Sequence, residues 1–253
     1  GYYGYGTISN NFFLNNSAED HGGGVLFTQK SDMTGNIISG NTAAEGGALY
    51  YYKGGESGSS DVSNNTIFKN TGSPVVYIYA PSSLEMKNNT IVGNSGSPTV
   101  SMLGSNNVFS QNSIYGNSGP YEFATRVALG TDLTVENNYW GTSDASVIAA
   151  KVYDWNDDSS LGFVDYTPFE TALITSNPIA PPINVVKEAA TGGVKISWTA
   201  NSESDVAGYR IHYGSGTGYS YATTVDAGNV TSYEISGLSV SEEVAVTAYD
   251  GNA

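Results

Sequence analysis

Ile8-Ser9-Asn10-Asn11-Phe12-Phe13-Leu14-Asn15-Asn16 is a phrase to which the chain keeps returning. It comes back as Met33-Thr34-Gly35-Asn36-Ile37-Ile38-Ser39-Gly40-Asn41, then as Val62-Ser63-Asn64-Asn65-Thr66-Ile67-Phe68-Lys69-Asn70. Met86-Lys87-Asn88-Asn89-Thr90-Ile91-Val92-Gly93-Asn94 and Phe109-Ser110-Gln111-Asn112-Ser113-Ile114-Tyr115-Gly116-Asn117 follow, and the phrase fades at Val135-Glu136-Asn137-Asn138-Tyr139-Trp140. One asparagine recurs at Asn11, Asn36, Asn65, Asn89, Asn112 and Asn138, in steps of 25, 29, 24, 23 and 26 residues. A second recurs at Asn16, Asn41, Asn70, Asn94 and Asn117 with the same first four steps.

Internal periods of this size belong to solenoids, propellers or repeat arrays. Each phrase alternates apolar and polar residues too briefly for the 3.6-residue stripe of a helix. Asparagine tolerates the left-handed backbone region and bonds its own neighbours, which suits a bend between short strands. Stacked coil on coil, such side chains hydrogen-bond along the axis and satisfy polar groups that would otherwise be buried alone. Unequal steps fit coils whose loops vary while the strands hold register. The reading is all-β: a right-handed parallel β-helix.

Composition narrows the function. Charged residues are 13% of the chain, and nine Lys+Arg against 24 Asp+Glu give a formal net charge of -15. Nucleic acid and anionic membrane both need clustered basic residues, so neither is expected as a partner. The same charge repels acidic polysaccharides unless cations bridge. There is no cysteine, hence no disulfide and no thiolate metal site. No stretch approaches the ~20 apolar residues of a membrane span. The chain starts at Gly1 with a coil already under way and no capping segment, so the sequence reads as a piece of a longer protein.

Between the asparagine phrases lie second strands, which align as Gly23-Gly24-Val25-Leu26-Phe27-Thr28, Gly46-Gly47-Ala48-Leu49-Tyr50-Tyr51, Ser73-Pro74-Val75-Val76-Tyr77-Ile78 and Ser97-Pro98-Thr99-Val100-Ser101-Met102. Side chains alternate across a strand. Leu26, Leu49, Val76 and Val100 are therefore expected in the core, with Ile78 and Met102 two places on. Phe27, Tyr50 and Tyr77 then point outward in a column that Tyr52 and Tyr79 extend.

These phrases carry a resemblance. Phe13-Leu14-Asn15-Asn16 before Gly23-Gly24-Val25-Leu26, and Ile38-Ser39-Gly40-Asn41 before Gly46-Gly47-Ala48-Leu49, resemble the FxxN and GGAI repeats of polymorphic outer-membrane adhesins. The wider pattern is similar to the β-helix repeats of pectate lyases and many secreted bacterial proteins. Asn137-Asn138-Tyr139-Trp140-Gly141-Thr142, Asp154-Trp155-Asn156-Asp157-Asp158 and Val164-Asp165-Tyr166-Thr167-Pro168-Phe169 resemble the closing segment of bacterial surface β-helix proteins. The resemblance covers residues 1 to about 172 and implies fold more than function.

The expected layout is a β-helix over 1–173, whose segment 139–172 forms a cap with a short helix at Asp144 to Ala150, Trp140, Trp155 and Phe169. A Pro-rich linker follows over 174–182. Beyond it, Val194-Lys195-Ile196-Ser197-Trp198, Gly208-Tyr209-Arg210-Ile211-His212-Tyr213, Ser232-Tyr233-Glu234-Ile235 and Val244-Ala245-Val246-Thr247-Ala248 read as short strands of a β-sandwich over 183–253. Trp198, Tyr209 and Gly237-Leu238 make it similar to a fibronectin type III domain. Glu242 stands where that family has its corner tyrosine, and the chain stops at Ala253 before the last strand, so an incomplete sandwich is expected.

Few residues suggest catalysis. Lyases resembling pectate lyase need clustered acidic calcium ligands plus a basic residue, and glycosidases need two carboxylates at catalytic separation. Arg126 is the only arginine of the repeats and has no companion acids in the aligned columns; Glu19, Asp20, Asp32, Glu45, Asp61 and Glu85 are scattered. Asp20-His21 beside Gly22 to Gly24 has no evident third group and reads as a solvated turn, and His212 as a surface residue. Asp154, Asn156, Asp158 and Asp165 take positions one, three, five and twelve of an oxygen-rich loop, so calcium is a candidate cofactor, although Ser159 replaces the turn glycine. The other reading of that loop is a polar turn.

The outward aromatic column is the binding candidate. Rings at the ~4.8 Å spacing of neighbouring strands form an apolar strip edged with hydroxyls, suited to stacking on sugars. Alternatively they stack on one another and stabilise the coils. The expectation is a non-enzymatic extracellular or cell-surface protein, an adhesin or structural spacer that binds polysaccharide or a surface protein and requires no cofactor. Two other readings stand beside it. One is a secreted carbohydrate-active enzyme, a lyase or hydrolase. The other is a filament subunit that associates end to end.

Overall fold

The structure is a computed structural model that describes residues 6–52, 58–79, 83–215 and 220–251. Gly1, where the coil was expected to be under way, and Ala253 lie outside the described residues. The chain divides into two compact units, Gly1–Pro178 and Ile179–Ala253.

In the first unit each nine-residue phrase becomes two short strands with a bend between them. Gly6–Ser9, Ser31–Thr34, Ser60–Ser63, Leu84–Lys87 and Val108–Ser110 form a first sheet. Phe12–Leu14, Ile37–Ser39, Thr66–Phe68, Thr90–Val92 and Ser113–Tyr115 form a second. The intervening strands Val25–Phe27, Leu49–Tyr52, Val76–Tyr79, Val100–Leu103, Phe123–Thr125 and Val152–Tyr153 form a third. Every pairing in these sheets is parallel, between successive coils. The result is a β-solenoid with three sheets around one core.

The bends follow a strict rule. Asn10, Gly35, Asn64, Asn88, Gln111 and Asn137 all have φ between 55 and 67°, as near as their values of 56, 67, 55, 55, 57 and 58°. Asn15, Gly40, Lys69, Gly93 and Gly116 repeat this at the second bend. The left-handed residue is therefore the one before each recurring asparagine, not the recurring asparagine itself as the sequence suggested. That leaves the recurring side chain free to turn inward.

Inside, the asparagines form two hydrogen-bonded columns. Asn36 Oδ1 accepts from Asn11 N at 2.9 Å, and Asn65, Asn89, Asn112 and Asn138 repeat the bond to the coil before. The amide Nδ2 makes the parallel contact, Asn36 Nδ2 to Asn65 Oδ1 at 2.9 Å and Asn89 Nδ2 to Asn112 Oδ1 at 2.9 Å. The second column runs through Asn16, Asn41, Asn70, Asn94 and Asn117 in the same way. Asn89 Nδ2 also reaches the carbonyls of Val62 and Lys87, so the donor of a fully enclosed amide is satisfied. Such satisfaction is what makes a buried polar column tolerable.

The apolar core lies between the sheets and includes Met33, Ile38, Leu49, Val62, Ile67, Val76, Ile78, Met86, Ile91, Val100 and Met102, none exposed. Each such side chain contributes about 1.5–3 kcal/mol of burial. Phe27 belongs here too, against the expectation that it faces outward: it is fully enclosed and packs on Tyr51. Val25, not Leu26, pairs with Leu49, because Gly22-Gly23-Gly24 lies against Gly46-Gly47-Ala48. A one-residue slip exchanges the two faces of a strand, so Leu26 takes the outward place.

Towards residue 170 the coil changes character. Leu133–Thr134 pairs in parallel with Val164–Asp165. Asp144 caps the short helix Ala145–Ala149 by accepting from Ser146 N, and Ile148 is the helix's buried residue. Trp140 is enclosed between Phe109 and Phe123 at ring-centroid distances of 6.5 and 6.2 Å. Phe169 packs partly buried on the same core, whereas Trp155 sits outside on Phe163 at 4.7 Å. Part of the segment read as a linker lies along the solenoid. Asn177 Nδ2 bonds Gln111 O at 3.0 Å and Ser113 Oγ at 3.1 Å, and the Pro178 carbonyl accepts from Thr90 Oγ1.

The second unit has two antiparallel three-stranded sheets. One orders Gly193–Thr199 between Ile183–Ala190 and Ser232–Ser236; the other orders Val206–Tyr213 between Thr223–Gly228 and Val244–Asp250. Val194, Ile196, Trp198, Tyr209, Ile211, Ile235, Leu238 and Val246 share one core. Trp198 and Tyr209 pack at 5.2 Å, and the Tyr209 hydroxyl accepts from Asn201 N.

Candidate functional site

Alternation on the third sheet turns one rank of side chains outward: Leu26, Tyr50, Tyr77, Ser101, Ala124 and Tyr153. The tyrosines of the predicted column stack. Tyr50 and Tyr77 lie 4.8 Å apart between centroids, and Tyr52 and Tyr79 lie 4.9 Å apart, stacked and nearly parallel at 14°. Neighbouring rings thus spend one face on each other, the self-stabilising arrangement that the sequence left open. The strip still continues beyond them. His21 meets the edge of Tyr50 at 4.5 Å, and the Arg126 guanidinium lies over Tyr77 at 5.2 Å.

After Tyr77 the outward rank shrinks to Ser101 and Ala124 before it grows again at Tyr153. Three strand steps separate the two rings, about 14 Å at ~4.8 Å each. Ser101 and Ala124 therefore floor a cleft of ≈ 450 Å³, lined also by Glu45, Pro74, Pro98, Arg126, Tyr153 and Leu161. Sequence reasoning found the tyrosines but not this depression. Its signal was available: two small residues in a register position that is aromatic before and after.

Electrostatics around the cleft are local. Desolvation pushes the Tyr50 hydroxyl above its ordinary pKa, with Tyr77, Glu45 and Tyr52 adding to the rise and Arg126 opposing it. Tyr77 is raised chiefly by desolvation as well, with Arg126 opposing and Glu45 and Tyr79 adding. The third group missing from Asp20-His21 comes from the next coil: His21 Nε2 lies 3.3 Å from Glu45 Oε2. Asp20 contributes only its carbonyl, which accepts from Glu45 N. A carboxylate that the sequence left scattered is thereby aimed at the rim of the cleft.

The oxygen-rich loop is arranged otherwise. Asp154 is 4% exposed, with Oδ1 accepting from Asn156 N and Nδ2 and Oδ2 accepting from Val164 N. Asp158 Oδ1 takes Ser160 N and Oγ, and Asp165 Oδ1 takes Thr167 N and Oγ1. The Ser160 bonds hold the Asp158 carboxyl below its usual range. Asp154, Asn156 and Asp165 line one pocket, and Asp158 is not among its walls. Among the described residues, no group of three or more His, Cys, Asp or Glu converges to hold a metal. No helix among them is long and apolar enough to cross a membrane.

Against known families, the model of NosD, described as a periplasmic copper-binding protein, matches residues 4–165 of the 253. The chain belongs to the NosD family. No curated protein and no solved structure matches it. The NosD match spans the solenoid and its closing coil and stops before the second unit.

Copper in this member of the NosD family would draw on imidazole, thiolate or thioether donors. The chain has no cysteine and two histidines. Met33, Met86 and Met102 are fully enclosed in the core. His21 faces Glu45 on the solenoid, while His212 lies in the second unit with its ring nitrogens 2.9 Å from Thr224 Oγ1 and Thr247 Oγ1. These donors do not fit a copper centre.

Proposed function

We propose that this NosD-family chain is a non-catalytic binding protein of the periplasm or cell exterior, which holds glycan along the outward side of its third sheet. The observation that carries the reading is the cleft floored by Ser101 and Ala124, with Tyr153 and Arg126 among its walls. Aromatic faces with polar edges suit pyranose rings, which are apolar on their faces and hydroxylated around them. The family's description as periplasmic supports the location. The second unit, with its Trp198–Tyr209 core pair and two antiparallel sheets, is a fibronectin type III-like module in this reading and serves as a spacer.

Affinity electrophoresis through gels cast with a panel of polysaccharides, then stained for polymer, tests it. Retarded migration with intact polymer is expected, and Tyr153→Ala should abolish the retardation. A cleared zone around the band would make the protein an enzyme instead. Free migration in every gel would remove the glycan.

A further inference from the structure

We propose that the cleft recognises a uronic acid, one carboxylate-bearing sugar on an otherwise neutral oligosaccharide, with Arg126 as its anchor. The inference rests on the glycan-binding reading above and adds the class of sugar. Arg126 is exposed, and it is the one arginine in Gly1–Pro178. Ion pairs among the described residues join His21 with Glu45, Lys87 with Glu85 and Lys151 with Glu122. Arg126 joins none of them, in a chain that has 24 acids for nine Lys and Arg.

The guanidinium is fixed by other means. The Arg126 backbone N–H donates to Met102 O, and the guanidinium carbon lies 5.2 Å from the centre of the Tyr77 ring. A guanidinium held by the π-face of a ring keeps N–H donors that the ring does not saturate. A carboxylate is the planar acceptor that takes such donors with two parallel bonds. Glu45, also a wall of the cleft, is bound to His21. It repels a second negative charge and offers an acceptor to sugar hydroxyls. One cation and one carboxylate among the cleft's walls thus select a ligand with a single acid group. The net charge of -15 works in the same direction, since it disfavours a polymer with an acid on every sugar.

The test measures binding of disaccharides that end in glucuronate, galacturonate or mannuronate, each beside its counterpart with the carboxyl reduced to an alcohol. Titrations are run by NMR at physiological salt, where charges beyond ~8 Å are screened. At least one uronate should bind about tenfold tighter than its reduced counterpart, the scale of a charge-assisted bidentate contact. Arg126→Gln should erase that preference, and Arg126→Lys should restore part of it. Equal binding of acid and alcohol forms, unchanged in Arg126→Gln, overturns the uronate and leaves glycan binding standing. Failure of every disaccharide to bind, while polysaccharide gels still retard the protein, overturns it in the same way. Failure in both assays removes glycan binding as well.

Discussion

Along its inner side the third sheet reads Val25, Leu49, Val76, Val100, Phe123 and Val152; along its outer side it reads Leu26, Tyr50, Tyr77, Ser101, Ala124 and Tyr153. The same strands in the same register carry both. Inside, every position is apolar and enclosed, because each coil must fill the same space over its neighbour. Outside, the sequence moves from large to small and back, because the residues that cover this side differ from coil to coil. Repetition marks where packing repeats from coil to coil, and variation marks where it does not.

The contrast predicts unequal costs. Ile78→Asp puts a charge on the inner side and should remove at least about 4 kcal/mol, read as a collapse of the urea midpoint or loss of folded protein. Asn89→Ala should cost about 3 kcal/mol, since it strands buried partners on both neighbouring coils. Asn88→Ala, one residue earlier at φ 55°, should cost about 1 kcal/mol through backbone strain alone. Equal losses at Asn88 and Asn89 would show that the bend, and not the column, carries the stability.

The outer side gives the smallest effect, and it depends on pH. Tyr50 and Tyr77 hold their protons more tightly folded than unfolded. Their contribution is complete below the ordinary tyrosine pKa of 10.0 and is lost as pH climbs through the raised folded values. Thermal unfolding should therefore shift downward above pH 10 in the wild type, and less in the Tyr50→Phe, Tyr77→Phe double variant. Identical slopes in the two proteins would mean that other groups set the alkaline limit.

The columns of asparagine were legible because one residue type recurs at steps that survive loop-length changes, and their burial follows from stacking. The facing of Phe27 was not legible. Val25, Leu26 and Phe27 are all apolar, and three consecutive glycines before them permit either frame. In the later coils the frame is anchored: Tyr50 and Tyr77 stand between aliphatic or enclosed neighbours, and their outward facing was read correctly. Glu45 stayed hidden because its partner His21 lies a whole coil away. So did Glu122, 2% exposed, whose carboxylate meets Thr99 Oγ1, Asn117 Nδ2 and Lys151 Nζ across loops that do not repeat.

The direction of the column bonds has a consequence of its own. In both columns the donor belongs to the earlier coil and the acceptor to the later one. The amide dipoles therefore add head to tail, as peptide dipoles do along a helix. Each column has an electropositive pole at its C-terminal end. At that pole of the second column Asn117 Nδ2 points at Glu122 Oε2, 3.0 Å away. The enclosed carboxylate is thus solvated by a row of side chains five coils long, in place of the water it has lost.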